Sequence, residues 1–218
     1  MSAAVKPQTI LEFMDIVGVD KDGSIKMFNI SNGMEYTVLF FFSLGSQSEE
    51  VRNFSSFSSE FSKLNCKIVG VTTESPLAIK RWIEKDEESG GFGFKNEMAF
   101  PILSDKSLEL SLSLGIVGKS GMSAKATYIL DPKDRVRYMH VARGEVSWNI
   151  QEILRLVAAF TESDAKGMAV PADWLPGGDL IPVKFSEKTE YYAKKFANSS
   201  GSSSSSSSND NQIKEHGQ

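Results

Sequence analysis

Tyr36-Thr37-Val38-Leu39-Phe40-Phe41-Phe42 and Lys67-Ile68-Val69-Gly70-Val71-Thr72 are two runs of strand length. Both are rich in β-branched and aromatic residues and alternate little with polar ones, the composition of central strands covered on both faces. Between them, residues 49–64 place Val51, Phe54, Phe57, Phe61 and Leu64 at spacings of three and four. That periodicity predicts an amphipathic helix whose polar face is made of Ser, Glu, Arg and Lys. Strand, helix, strand in this order predicts a right-handed βαβ unit and so a parallel sheet.

The flanks extend this into a mixed α/β layer. Upstream, Ile16-Val17-Gly18-Val19 and Ile25-Lys26-Met27-Phe28 enclose Asp20-Lys21-Asp22-Gly23, and the Asp-Gly step suits a hairpin turn that needs positive φ. Downstream, residues 76–87 predict a second helix, with Ser75 as N-cap and Pro76 at its first position. A short helix is expected over 107–114. Residues 126–130 and 135–141 predict a hairpin across Asp131-Pro132-Lys133-Asp134, and 149–160 a further helix carrying Ile150, Ile153, Leu154, Val157 and Phe160. The fold class expected is a thioredoxin-like α/β domain over residues 1–160. The Pro- and Gly-rich stretch 168–181 reads as an extended arm and 187–196 as a short helix, so 161–197 form a C-terminal arm. Residues 199–208 are nine serines and one glycine, too polar to offset the entropy of ordering, and 198–218 are expected to be disordered.

Composition narrows the function classes. A net charge of −4 gives no footprint for nucleic acid. The longest apolar run, Val38 to Phe42, is far too short to span a bilayer. Met1-Ser2-Ala3-Ala4-Val5-Lys6-Pro7 has no apolar signal-peptide core, so a cytoplasmic location is expected. The one cysteine, Cys66, cannot form an internal disulfide. His140 and His216 have no partners at metal-ligand spacing, and no metal or other cofactor is expected.

Several collinear segments carry a family resemblance. Phe61-Ser62-Lys63-Leu64-Asn65-Cys66-Lys67-Ile68-Val69-Gly70-Val71 resembles F-R-K-L-N-C-E-V-L-G-V of the typical 2-Cys peroxiredoxins, the alkyl hydroperoxide reductase C family. Phe100-Pro101-Ile102-Leu103-Ser104-Asp105 resembles I-P-L-L-A-D. Glu152-Ile153-Leu154-Arg155-Leu156-Val157 with Ala159-Phe160 resembles E-I-L-R-L-V-Q-A-F. Pro171-Ala172-Asp173-Trp174 with Pro176-Gly177 resembles P-A-G-W-K-P-G. The resemblance runs in family order over residues 10–196 and implies the peroxiredoxin variant of the thioredoxin-like fold.

The same resemblance implies which positions matter. The family's active loop, F-F-Y-P-L-D-F-T-F-V-C-P-T-E, is shorter here: Phe40-Phe41-Phe42-Ser43-Leu44-Gly45-Ser46-Gln47-Ser48-Glu49-Glu50. Its proline falls on Ser43, its peroxidatic cysteine on or beside Gln47, and its following acid on Glu50. The arginine of A-Y-R-G falls on Lys125, which keeps a charge but not the planar fork. The arginine of V-G-R-S falls on Trp148, and the resolving cysteine of E-V-C-P on Val170. Peroxide reduction needs a thiolate, so these replacements imply a chain that is not an enzyme. Its role is then expected to be structural, chaperone-like or partner-binding, in company with active peroxiredoxins. The alternative is a weak thiol-dependent peroxidase using Cys66 with an external thiol.

The resemblance also implies a dimer through the edge strand Arg135, Val136, Arg137, Tyr138, Met139, His140 and Val141, as a homodimer or with an active peroxiredoxin. A ring of dimers is not expected, because the active loop that forms part of that second interface is shortened. Gly90-Gly91-Phe92-Gly93 and Tyr191-Tyr192 resemble the paired G-G-L-G loop and Y-F helix that pack over the family's active-site helix. Gly115-Ile116-Val117-Gly118-Lys119-Ser120 lacks the first glycine of a phosphate-binding loop and does not follow a strand, so no nucleotide site is expected there.

Overall fold

In the computed structural model, residues 15–30, 33–44, 48–94, 98–119, 121–142 and 146–200 are described. The chain divides into two compact units, Met1–Ala158 and Ala159–Gln218. In the first, a single sheet has the strand order β2-β1-β5-β4-β3-β6-β7. Its strands are β1 (Ile16–Val19), β2 (Ile25–Phe28), β3 (Tyr36–Phe41), β4 (Cys66–Thr72), β5 (Ile102–Ser104), β6 (Lys125–Leu130) and β7 (Val136–Ala142). The two runs that suggested central strands pair in parallel, Tyr36 opposite Cys66 through Phe41 opposite Val71. β3 is buried at every residue, which is why its sequence does not alternate.

Alternation along the strands sends side chains to two cores. Leu39, Phe41, Val69, Val71, Leu103, Ala126, Tyr128 and Leu130 meet Ile30, Leu114 and Ile116 on one face. The other face carries Phe40, which stacks on Phe54 at 4.1 Å and meets Phe100 edge-on at 5.4 Å. Gly70 belongs to this second face. A Cβ there would stand 3.1 Å from the Phe40 ring and 3.2 Å from the Phe42 ring, so the glycine is what lets the aromatic cluster lie flat on β4.

The helix expected over 49–64 is broken. α1 spans Ser48–Ser56 and α2 spans Ser58–Lys63, with Phe57 at φ −97° and ψ 9° between them. The junction is serine-rich, and Ser56 Oγ donates back to the Arg52 carbonyl, a side-chain bond that competes with helix continuity. α3 (Pro76–Glu84) begins as expected, with the Ser75 side chain accepting from the Ala78 N–H at 3.3 Å. It is followed by a 3-10 turn, Glu87–Ser89, closed by Gly90 at φ 83°. β5, paired with β4 on one side and β1 on the other, had no pattern of its own in the sequence. α4 is short, Glu109–Ser113. Gly115 to Lys119 leaves α4 and enters an isolated bridge, Val117 to Ser123. α5 (Ile150–Lys166) starts at Asn149, whose Oδ1 accepts from the Glu152 N–H at 3.1 Å, and runs past the predicted end at 160.

In the second unit the stretch 168–181 is not an extended arm. Ala169 and Ile181 exchange backbone hydrogen bonds of 2.7 and 2.8 Å, which close the segment into a loop. Trp174 is buried in it and donates Nε1–H to the Gly178 carbonyl at 3.0 Å. α6 spans Phe185–Ser200, so the chain is helical through the first residues expected to be disordered. The rest of the serine-rich segment lies outside the described residues.

Candidate functional site

Ser43, half-buried, leaves the end of β3. Gln47 lies outside the described residues. Val170 belongs to the second unit, where it adjoins the Ala169 bridge. Glu50, Lys125 and Trp148 come together, and they form the centre of the site.

Lys125 is the first residue of β6 and Glu50 lies in the first turn of α1. Lys125 Nζ donates to Glu50 Oε1, and the side chains are 4% and 9% exposed, so this is a buried ion pair and not a surface one. The ammonium also sits 4.4 Å from the centroid of the Trp148 ring. That ring lies edge-on to Phe40 and to Phe54, each at 5.6 Å. A lysine in such a place loses its hydration, and a carboxylate plus an aromatic face replace it. Thr127 follows Lys125 on the same face of β6 and pairs with Phe40. Thr127 Oγ1, Trp148 Nε1 and Glu50 Oε2 are buried without a hydrogen-bond partner.

The Gly90 to Gly93 loop packs on the same helix. Ser48 Oγ donates to the Gly90 carbonyl at 3.3 Å, and Arg52 pairs with Glu87 at 3.1 Å. Phe92 is buried against Phe42 and Trp82. Tyr191 and Tyr192 are adjacent on α6, with ring centroids 5.4 Å apart, inside the second unit. The sequence reading gave no role to Thr127 and treated Trp148 only as a missing arginine. An indole can hold a cation through its face, and that was the signal available.

Cys66 is elsewhere. It pairs with Tyr36 at the start of β3, whereas Ala126, beside Lys125, pairs with Phe41. Five residues of strand separate the two levels, about 17 Å at the usual rise. The thiol is buried, and burial pushes its pKa up to about 12. At pH 7 that leaves a thiolate fraction of about 10⁻⁵, the opposite of what a nucleophile needs. We expect alkylation of Cys66 in the folded protein at pH 8 to be roughly 10³-fold slower than in the denatured chain, measured with a fluorescent iodoacetamide. The unfolded thiol ionises near 8.5 and the folded one does not, so this group lowers stability as pH rises above about 8.5.

At the far edge of the sheet, Asp131 organises the β6–β7 turn. Its carboxylate accepts from the N–H groups of Lys133 and Arg135 at 2.9 and 3.0 Å and from Arg135 Nε at 2.8 Å, with Arg137 at 3.5 Å. Burial alone would raise this acid, but Arg135 and the backbone donors outweigh burial and hold it below the ordinary carboxylate range. A cavity of about 640 Å³ lies between β1, Pro76 and α4, and none of the positions implied by the resemblance lines it.

A mixed sheet with parallel βαβ connections, a closing antiparallel hairpin and a buried cation at the start of β6 defines a thioredoxin-like protein of the peroxiredoxin type. The AhpC/TSA family model matches residues 12–139. Peroxiredoxin-2 of Bos taurus is 33% identical over 178 residues, covering 79% of this chain and 88% of the bovine protein. Peroxiredoxin 2 of Drosophila melanogaster is 32% identical over 162 residues, covering 72% and 82%. Among solved structures, reduced 2-Cys peroxiredoxin of Plasmodium vivax superposes with a TM-score of 0.80 at 20% identity, covering 86% of this chain and 98% of that one. The chain belongs to the AhpC/TSA family, the peroxiredoxins. This corrects the expectation that the chain is not an enzyme: its relatives are peroxiredoxins, which are peroxidases, and their similarity overturns that expectation. No helix among the described residues is long and apolar enough to cross a membrane.

Proposed function

We propose that this peroxiredoxin acts through assembly, pairing the outer edge of β7 with the same edge of a second copy or of another peroxiredoxin. Such a protein contributes a structural, chaperone-like or partner-binding surface, and assembly of this kind is compatible with catalysis by the assembled protein. The observation that carries the reading is the position of β7. It ends the sheet and is hydrogen-bonded along one side, by β6, among the described residues. An edge of this length offers a row of N–H and C=O groups to a partner strand. Val141 on it is 47% exposed and His140 is also exposed. Tyr138 and Met139 are half-buried, and Arg135 and Arg137 are held by Asp131, beside the shift in register between Ile129 and Leu130. A domain at residues 1–160 followed by a separate C-terminal segment is part of this reading, as is a cytoplasmic site of action.

The test is native mass spectrometry of the whole chain, alone and mixed with a purified peroxiredoxin. Dimers of the chain, or mixed dimers, are expected. Val141→Lys puts a charge on the apolar edge and is expected to weaken the dimer by at least about tenfold. Monomers only, in both samples, would defeat the reading. Peroxide consumption by the same samples, with thioredoxin as reductant, measures what catalysis the assembly performs.

A further inference from the structure

We propose that Lys125, Thr127 and Trp148 form a cradle for a small carboxylate, and that Glu50 fills it in cis as a displaceable plug. The donor set is larger than Glu50 can use. Lys125 Nζ bonds Glu50 Oε1, while Glu50 Oε2 has no partner. In the same cluster the Trp148 Nε1–H and the Thr127 hydroxyl are buried donors without acceptors. Buried donors and acceptors are nearly always paired, so acceptor and donors left open around one lysine call for a different acceptor geometry. Glu50 is tethered to the first turn of α1 and reaches the lysine with one oxygen. A free carboxylate can turn its second oxygen toward the indole and hydroxyl donors.

The ligand class follows from charge and walls. One lysine balances one negative charge, so a monoanion fits and a dianion does not. Phe40 and Phe54 flank the Trp148 ring with apolar surface, which strengthens charge-assisted bonds beside it and favours a small ligand with few polar atoms. Formate and acetate are the simplest members of that class. Occupation by such a ligand and by Glu50 is mutually exclusive. Ligand binding therefore releases the first turn of α1, and in the wild type the apparent affinity is reduced by the fraction of time Glu50 is seated.

The experiment uses the full chain carrying Glu50→Ala. Thermal unfolding is followed in sodium formate and in sodium chloride of equal ionic strength. A saturable rise in Tm in formate only is expected, roughly 5–10 °C at a hundred times Kd. Trp148→Phe in the same background keeps the ring but removes the N–H, and is expected to reduce the rise; Lys125→Met is expected to abolish it. The proposal is overturned if formate stabilises Glu50→Ala no more than the wild type, or if the response survives Lys125→Met. Should Glu50→Ala not fold in chloride, refolding yield becomes the readout. Recovery in formate and not in chloride supports the cradle, and failure in both overturns it.

Discussion

Lys125→Met is expected to lower the free energy of unfolding by about 3–5 kcal/mol, measured by urea denaturation. The reason is what the substitution leaves behind. The Glu50 carboxyl group is 9% exposed and would be left in the protein interior with no cation beside it. Its second oxygen is already without a hydrogen-bond partner. The contact between the ammonium and the Trp148 ring is lost as well, worth about 0.5–2 kcal/mol. The double variant Lys125→Met/Glu50→Leu removes both charges together and is expected to recover most of the loss, since a buried pair replaced by apolar groups is often neutral or better. A double variant as unstable as Lys125→Met alone would show that packing, and not the isolated charge, sets the cost.

Phe40→Ala is expected to cost about 3–5 kcal/mol and to change the fluorescence of Trp148. Phe40 is fully buried and lies in contact with four aromatic rings: Phe42 at 5.3 Å, Phe54 at 4.1 Å, Phe100 at 5.4 Å and Trp148 at 5.6 Å. Deleting it empties the centre of the cluster that joins β3 to α1, and loosens the wall behind the Lys125–Glu50 pair. Phe41→Ala serves as the control. Phe41 points to the opposite core, beside Tyr128 at 5.9 Å. It is expected to lose comparable stability and to leave the Trp148 emission unchanged. Equal spectral changes from the two substitutions would mean that the two faces are not independent.

Much of the first unit was legible because its signals are local. Tyr36 to Phe42 and Lys67 to Thr72 announce central strands by unbroken apolar content, and Val51, Phe54 and Phe61 announce a buried helical face. Asp22-Gly23 fixes the first hairpin, where the Gly23 N–H donates to the Asp20 carbonyl at 2.9 Å. β5 escaped because Ile102-Leu103-Ser104 is too short to show a period, and its place between β4 and β1 is decided by tertiary pairing. The break at Phe57 escaped because the hydrophobic spacing continues through it while the serines around it do not hold the helix. The closure of 168–181 depends on the bridge between Ala169 and Ile181, a pairing that composition does not encode.

The site was legible as a set of positions and not as an arrangement. The resemblance placed Glu50, Lys125 and Trp148 on one roster, Glu50 as the retained acid and the other two as replacements of arginines. That Glu50 and Lys125 neutralise each other across 75 residues of chain, under an indole ring, is a property of packing. The buried orphan at Thr127 is likewise visible only once β6 is seated against β3. Cys66 reads in the opposite direction: its solitude drew attention in the sequence, and its burial at the far end of the sheet removes it from the chemistry of the site.

Sedimentation equilibrium of the whole chain over a wide concentration range tests assembly through β7 most directly. The expected result is a species of twice 24.0 kDa that gives way to 24.0 kDa in Val141→Lys. A wild-type protein that remains at 24.0 kDa at every concentration, alone and with a second peroxiredoxin present, would contradict it.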